Sequence, residues 1–238
     1  MRENERERIE SRLKQLVERL SNAIGKNLHS VVLYGSAAAT DFHENFSDIN
    51  VLCLLHELSA ATMLALSDTV QWWKKERHSI PLFLSVEELS LAADVFAIEL
   101  LDMRRHHRVL YGDDLIGQLD VPMNLHRVQV EHELRTKLIM LRQNFINRVD
   151  ILKLMLDSVS SFMTLFRHSL IAMGEEPERG QRDMLQQLRT TLNLDTSAFL
   201  ELLNLREGIV ESDALDAKTI FPGYLRTIEQ VISAVDRL

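Results

Sequence analysis

The sequence predicts an α+β protein: a small mixed sheet with flanking helices over residues 1–118, followed by an all-α helix bundle over residues 119–238. Three observations support this prediction. Short apolar runs typical of strands alternate with helical patterns in the first region. After Pro122 the apolar residues recur at helical spacing, and no strand-like run remains. With only 8 Gly and 4 Pro, the chain leaves little room for long loops.

The elements of the first region follow from apolar periodicity and from turn signals. Gly25 is expected to end the first helix, and Ser85 is a plausible N-cap with Glu88 three residues later. The predicted elements are, in order, helix 3–26, strand 29–34, strand 48–55, helix 57–78, strand 81–84, helix 86–94 and strand 96–101.

The first two predicted strands are joined by a polar connection that begins with Gly35 and Ser36. The second strand, 48–55, opens with Asp48 and Asn50, two positions apart. Because side chains alternate along a strand, these two oxygen-bearing groups are expected on one face. A Gly-Ser turn that opens a short helix offers unpaired N–H groups and a hydroxyl to a polyphosphate. A phosphate-binding turn beside such oxygen ligands is typical of metal-assisted phosphoryl or nucleotidyl transfer.

The last predicted strand, 96–101, carries Glu99 among apolar residues. An acidic side chain in the middle of an apolar strand costs free energy unless it has a partner. A metal ion or a nearby cation would be such a partner, whereas an exposed sheet face would remove the need for one. Both interpretations stay open, and the first adds Glu99 to the candidate site.

A basic cluster follows this strand, from Arg104 to Arg108, and includes His106 and His107. The cluster could contact phosphate groups, or it could form a solvated helix face that is balanced by nearby aspartates. The paired histidines are not a convincing zinc motif, because no second ligand pair follows at a suitable spacing.

The region after Pro122 is predicted to contain antiparallel helices with short links, which implies a helix bundle. An acidic bundle of this kind could serve as a homodimer interface or as a partner-binding surface. The predicted helical stretches are 130–145, 151–166, 177–192, 196–207 and 222–238.

Composition and charge restrict the class of protein. A net charge of −8 argues against a general nucleic-acid binder, which would carry a basic excess. The single cysteine, Cys53, lies in an apolar strand run, so we expect a buried and unreactive thiol. The charged N-terminus lacks the apolar core of a signal peptide, and the most apolar segment, 151–173, carries charged residues that exclude an ordinary membrane span. We therefore expect a cytoplasmic protein without a membrane partner.

The motif Leu33-Tyr34-Gly35-Ser36, followed by Ser47-Asp48-Ile49-Asn50, resembles the signature of the DNA polymerase β-like nucleotidyltransferase superfamily in its minimal, bacterial form. That signature is an apolar strand, Gly-Ser, a short connection and Asp-x-Asp on the next strand, with a third carboxylate on a later strand. A helical region after the catalytic core looks like the arrangement in kanamycin nucleotidyltransferase and its relatives. The motif covers the first region, whereas the helical half matches in general architecture only.

The resemblance implies a role for five residues. Gly35 and Ser36 would hold the triphosphate of a nucleoside triphosphate (NTP). Asp48 would be the first metal-bridging carboxylate, while Asn50 takes the place of the second and Glu99 that of the third. Two Mg²⁺ ions, or Mn²⁺ in their place, would activate the acceptor hydroxyl and neutralise the phosphates. Magnesium requires hard oxygen ligands in near-octahedral geometry.

Two departures from the family pattern concern charge. Asn50 offers a carbonyl oxygen but no negative charge, so a site expected to hold three carboxylates would hold two. The loss should weaken metal binding. Ala39 and Thr40 occupy the places where many family members carry Arg-Gly, so a phosphate-binding cation is missing. His43 or the arginines of the basic cluster could replace it.

Two function classes follow from the resemblance and its departures. The first is an enzyme that transfers a nucleoside monophosphate from an NTP to a hydroxyl of a small molecule, a protein or an RNA end. Glu99 would be a candidate general base, and the helical region would form the acceptor side of a cleft. The second is a non-catalytic nucleotide-binding or protein-interaction module, because a fold does not guarantee its usual chemistry. A coincidental motif in an unrelated α/β protein is a third alternative.

Overall fold

The computed structural model describes residues 2–38, 49–76, 78–147, 150–211 and 215–238. The chain divides into two compact units, Met1–Pro122 and Met123–Leu238, which we describe separately. The predicted α+β architecture, a mixed sheet with flanking helices followed by helices alone, is confirmed. The assignment of residues 1–118 and 119–238 to two domains stays a prediction.

The first unit is built on a four-stranded mixed sheet. Its strands are β1 (Leu28–Tyr34), β2 (Asn50–Leu55), β3 (Leu82–Ser85) and β4 (His107–Gly112). They lie in the order β3-β2-β1-β4, with β1 antiparallel to β2 and β4, and with β2 parallel to β3. The helices of this unit are α1 (Arg2–Ile24), α2 (Ala60–Lys75), α3 (Val86–Leu91), α4 (Ala97–Arg105) and α5 (Leu115–Gln118), with 3₁₀ turns at Gly25–Asn27 and Gly35–Ala38.

Apolar residues cover both faces of this sheet. Alternation along β1 directs Val31 and Leu33 toward α1 and α2, and Val32 toward α3, α4 and α5. Most of β1 and β2 is therefore buried, and the half-buried Tyr34 and Asn50 lie at adjacent strand ends. Tyr34 and Asn50 therefore offer two polar side chains where β1 ends and β2 begins.

The short helix α3 confirms a capping prediction. The backbone N–H of Glu88 donates to Ser85 Oγ at 3.0 Å, and the backbone N–H of Ser85 donates to Glu88 Oε2 at 2.7 Å. This reciprocal capping box satisfies two backbone donors that the first turn of a helix cannot pair internally.

Two predictions between residues 96 and 112 are wrong. The run 96–101, predicted as a strand, forms the start of α4, and the following stretch, for which no strand was predicted, forms β4. Ala97, Leu100 and Met103 are buried on α4 at a spacing of three. A short apolar run does not separate this helical spacing from that of a buried strand. β4 is an edge strand that carries charged and half-exposed residues, so it lacks the apolar signal of β1 and β2.

The second unit contains five helices in the described part of the chain. They are α6 (His126–Ile146), α7 (Ile151–Ala172), α8 (Gln181–Leu192), α9 (Ser197–Arg206) and α10 (Ala217–Asp236). α7 is the most extensively buried, and its Phe162 and Phe166 pack against Phe199 and Tyr224. α10 begins at Ala217, earlier than predicted and with Pro222 inside it, because the side chain of Asp216 caps its first turn. No described helix of either unit is long and apolar enough to cross a membrane.

Candidate functional site

The Gly-Ser turn lies where β1 ends and the 3₁₀ turn Gly35–Ala38 begins. Gly35 has φ +77°, a conformation that L side chains rarely adopt. Its backbone N–H donates to the His106 carbonyl oxygen at 2.9 Å. The N–H of Gly35 is therefore already paired within the protein, contrary to the expectation that the turn offers it to a phosphate. In a 3₁₀ helix each N–H donates to the carbonyl three residues earlier, so after Gly35 only the N–H of Ser36 has no partner within the helix itself.

Asn50 lies directly beside this turn. The antiparallel register pairs Tyr34 with Asn50, and a Cβ placed on Gly35 would lie 3.4 Å from Asn50 Nδ2. Two of the residues predicted for the site, Gly35 and Asn50, are thus brought together. The side chain of Ser36 and the whole of Asp48 lie outside the described residues. The shared face of Asp48 and Asn50 stays a prediction.

Glu99 occupies a position different from the one predicted. It lies in the first turn of α4 and is exposed, whereas Ala97 and Leu100 on the same helix are buried. An exposed carboxylate on a helix needs no metal ion or cation to offset burial, so the free-energy argument for its role no longer applies. Its assignment as a metal ligand stays a prediction without that support.

The described donors do not by themselves fit a Mg²⁺ site. Asn50 supplies one neutral oxygen, and Glu99 is exposed on a helix. Within the described ranges no group of three His, Cys, Asp or Glu side chains is arranged to hold a metal ion. Because Mg²⁺ requires several hard oxygen ligands, we derive no reaction step through a metal from these residues.

Three polar side chains, which the sequence did not reveal as a group, form a row across the ends of β2, β1 and β4. They are Asn50, Tyr34 and His107. Tyr34 pairs with Asn50 on β2 and with His107 on β4. Residues directly opposite in antiparallel strands share a face and approach within contact distance. Burial raises the pKa of the Tyr34 phenol, so this side chain is neutral in the row. The row could not be read from the sequence because it depends on β4, which was not predicted.

His107 is held at both ring nitrogens. Its Nδ1 lies 3.0 Å from the Arg104 carbonyl oxygen, and its Nε2 lies 3.0 Å from Asp114 Oδ1. The same Asp114 oxygen accepts the Gly117 N–H at 2.8 Å and so caps α5. The Gly117 N–H, followed by the hydrogen bond from His107, lowers the pKa of Asp114, although partial desolvation opposes the shift. His107 therefore joins the end of α4 to the start of α5 at the first residue of β4.

Cys53 lies fully buried on β2, as predicted. Burial raises the pKa of its thiol, because the thiolate would be desolvated in the apolar core. Cys53 is therefore a packing residue of the sheet and takes no part in the candidate site.

No family model matches the chain, and no curated protein matches it in sequence. Among solved structures, spectinomycin adenyltransferase AAD(9) from Enterococcus faecialis with ATP and spectinomycin is similar over 95% of this chain and 99% of its own, with a TM-score of 0.59 and 13% identity. The fold is that of a polymerase β-like nucleotidyltransferase. This confirms the fold inferred from the Gly-Ser and Asp-x-Asn motif, and the nucleotidyltransferase fold extends over nearly the whole chain.

Two further structures are similar over part of the chain. A mutant of the toxin-antitoxin MntA-HpeT covers 43% of this chain and 74% of its own, at 18% identity and a TM-score of 0.31. The tri-AMPylated Shewanella oneidensis HEPN toxin in complex with MNT antitoxin covers 57% of this chain and 92% of its own, at 16% identity and a TM-score of 0.29. The assignment of the nucleotidyltransferase fold rests on the first similarity alone.

Proposed function

We propose that this protein binds an NTP at the Gly35–Ser36 turn and transfers a nucleoside monophosphate to a hydroxyl acceptor. The observation that carries the proposal is the antiparallel pairing of β1 and β2, which sets the turn beside Asn50 in a nucleotidyltransferase fold. The similar adenyltransferase was solved with ATP and spectinomycin. By analogy, the proposed donor is an NTP with Mg²⁺ or Mn²⁺, and the proposed acceptor carries a hydroxyl group.

The proposed roles follow from position. Gly35 supplies the left-handed backbone conformation that lets the chain leave β1, so the N–H of Ser36 after it can face a phosphate. Asn50 offers an amide oxygen or N–H₂ group beside the turn. Asp48 is the proposed carboxylate next to the phosphates. The proposal rests on the turn, Asp48 and Asn50, and Glu99 is tested as a separate variant.

A non-catalytic nucleotide-binding module is the second candidate function. Two observations favour it: a neutral Asn50 replaces the second carboxylate, and Glu99 is exposed on a helix. Such a module would bind an NTP with weak metal dependence and would not transfer the nucleotide. Both candidates predict nucleotide binding at the turn, but they differ in its metal dependence and in turnover.

The first test is calorimetric binding of ATP, GTP, CTP and UTP, each with and without excess Mg²⁺ or Mn²⁺. We expect metal-dependent binding of at least one nucleotide and its loss in Asp48→Ala. Glu87→Ala is the matched control, because Glu87 is another exposed carboxylate in the first turn of a helix of the same unit. Glu99→Ala should behave like wild type if Glu99 has no part in the site. Absence of binding by all four nucleotides at millimolar concentration would contradict both candidates.

The second test separates the enzyme from the binding module. The bound NTP, labelled at its α-phosphate, is incubated with a panel of hydroxyl compounds that includes aminocyclitols such as spectinomycin. Label transferred by the wild type, and not by Asp48→Ala, supports the enzyme. Binding without transfer to any member of the panel favours the module.

A further inference from the structure

The carbonyl group of His106 connects the proposed nucleotide-binding turn to the rest of the first unit. It accepts the N–H of Gly35 at 2.9 Å, at the point where the chain leaves β1. His106 itself is the C-terminal cap of α4, and its N–H donates to the Asp102 carbonyl oxygen at 3.3 Å. The direction of the His106 carbonyl is therefore set by the junction between α4 and β4.

His107, the residue after His106, holds this junction through its side chain. Its two ring nitrogens lie 3.0 Å from the Arg104 carbonyl oxygen and 3.0 Å from Asp114 Oδ1, respectively. Arg104 in turn donates from Nη1 to the Leu119 carbonyl oxygen at 3.1 Å, which adds a second tie between α4 and the segment after α5. The imidazole thus links the end of α4 to the start of α5, and we call these two contacts the His107 brace.

We propose that His107 is a positioning residue that holds the Gly35 turn in its nucleotide-binding geometry, an inference that rests on the function proposed above. Both of its ring nitrogens face acceptors of the protein, a carbonyl and a carboxylate. Whichever ring nitrogen carries a proton, its N–H is therefore paired within the protein. His107 acts through the His106 carbonyl, which fixes the N–H of Gly35 and so the direction of the Ser36 N–H after it.

The position of His107 in the sheet supports the same role. Its side chain is 15% exposed, and His107 pairs with Tyr34, the residue immediately before Gly35. The ring therefore braces the start of β4 on the face that carries Tyr34 and Asn50. Without the His107 brace, the α4–β4 junction loses its side-chain contacts at His107. The neighbouring His106 carbonyl, which accepts the Gly35 N–H, is then held less firmly.

The chain offers a matched control at the next position of the same strand. Arg108 makes a bidentate ion pair with Glu10 of α1, at 3.1 Å and 2.6 Å, on the opposite face of the sheet. Arg108→Gln removes an interaction of similar kind from β4 without touching the α4–β4 junction. A general weakening of the strand would appear in both variants, whereas a specific effect on the turn would appear only at His107.

The experiment measures hydrogen exchange of the Gly35 amide by NMR, without nucleotide, in wild type, His107→Ala, His107→Gln and Arg108→Gln. Removal of a hydrogen bond to a charged group typically costs enough to raise a local opening equilibrium about tenfold. We expect Gly35 exchange to be about tenfold faster in His107→Ala and unchanged in Arg108→Gln. His107→Gln, whose amide can still donate toward Asp114, should restore most of the protection. NTP affinity, measured by calorimetry on the same proteins, should fall and recover in parallel.

Unchanged exchange at Gly35 in His107→Ala overturns the inference, whatever the nucleotide data show. Equal acceleration in His107→Ala and Arg108→Gln also overturns it, because His107 would then only stabilise the strand. Faster exchange at Gly35 in a protein whose wild type binds no NTP supports the His107 brace and contradicts the proposed function. Hydrogen exchange at Gly35 thus tests the role of His107, whereas NTP affinity tests the proposed function, and either can be contradicted without the other.

Discussion

Asn50 carries a neutral amide where an aspartate would add one negative charge to the candidate site. Its amide lies beside the Gly35 turn and opposite Tyr34, where the family pattern has a carboxylate. An amide oxygen can bind a cation but contributes no formal charge. A cation near this position is therefore held less strongly than in a site with an aspartate.

Asn50→Asp should increase the affinity for an NTP in the presence of Mg²⁺, by about tenfold, because an added carboxylate attracts the metal. Without metal the same change should weaken NTP binding, because the carboxylate repels the phosphates. Calorimetry with and without Mg²⁺ measures both effects. Asn144→Asp, which adds the same charge at an exposed position of α6, is the control. Equal metal dependence in Asn50→Asp and wild type would contradict the placement of Asn50 at the nucleotide.

Gly112 provides a test of the pairing between β1 and β4. It has φ +75°, and a Cβ at this position would lie 2.0 Å from the carbonyl oxygen of His29. Gly112→Ala should lower the free energy of unfolding by about 3 kcal/mol, because backbone atoms of β1 and β4 must move apart. Gly25→Ala is the matched control, since Gly25 has φ +54° and nothing lies within 4 Å of its Cβ position. Gly25→Ala should lower the free energy of unfolding by only about 1 kcal/mol, the cost of a left-handed backbone conformation for alanine.

Urea unfolding of the two glycine variants provides the comparison. A larger loss of stability in Gly112→Ala than in Gly25→Ala supports the close approach of β4 to β1. Equal losses would show that conformational strain alone accounts for both, and would contradict the register that places Gly112 opposite Ser30.

At the scale of the element, the sequence is most informative where one apolar run is bounded by turn residues. β1 and β2 are apolar runs bounded by polar connections, so both strands and the Gly-Ser turn after β1 were predictable. The capping box of α3 was predictable because Ser85 and Glu88 satisfy backbone donors within one turn.

The segment from Ala97 to Gly112 was not predictable from the same rules. The run 96–101, with five apolar residues around Glu99, fits a buried strand as well as a buried helix face, and tertiary packing against the sheet selects the helix. β4 carries histidine and arginine because it is an edge strand. The role inferred for His107 was therefore not predictable, since it depends on a strand pairing that only the structure shows.

The contact between α6 and α7 contains a buried pair of histidines. His126 Nε2 lies 2.9 Å from His168 Nδ1, and both side chains are almost fully buried. Burial, and then the neighbouring His168, lower the pKa of His126 to about 4. The folded protein thus keeps His126 neutral at pH values where the unfolded chain binds a proton.

The stability of the second unit should therefore fall as the pH decreases from 6.5 toward 4. In this range the unfolded state takes up a proton at His126 that the folded state does not, and full stability is present above 6.5. The shift corresponds to a loss of about 3 kcal/mol once the pH lies below both values. Urea unfolding at a series of pH values measures the slope.

His126→Gln isolates this contribution from that of other titrating groups. Glutamine can hydrogen-bond to His168 but does not titrate, so the variant should lose less stability between pH 6.5 and pH 4 than the wild type. Identical pH slopes in the two proteins would contradict a neutral, buried His126.

At the scale of the whole molecule, the nucleotidyltransferase fold covers nearly the entire chain, which carries a net charge of −8. An acidic protein repels a free triphosphate at long range, and this repulsion is screened by salt. The proposed binding would then depend on local groups at the turn and on a metal ion that accompanies the nucleotide. Nucleotide recognition is accordingly expected at one edge of the sheet rather than over a basic surface.

The most direct test of this placement is an NMR titration of the ¹⁵N-labelled protein with the four NTPs in the presence of Mg²⁺. The amide signals should shift first and most strongly at Gly35, Ser36 and Asn50, with smaller shifts at Tyr34 and His107. Gly35→Ala should abolish these shifts, whereas Gly25→Ala, with a similar backbone strain, should preserve them. Shifts confined to other surfaces, or no shift with any of the four nucleotides, would contradict the placement of the nucleotide at the Gly-Ser turn.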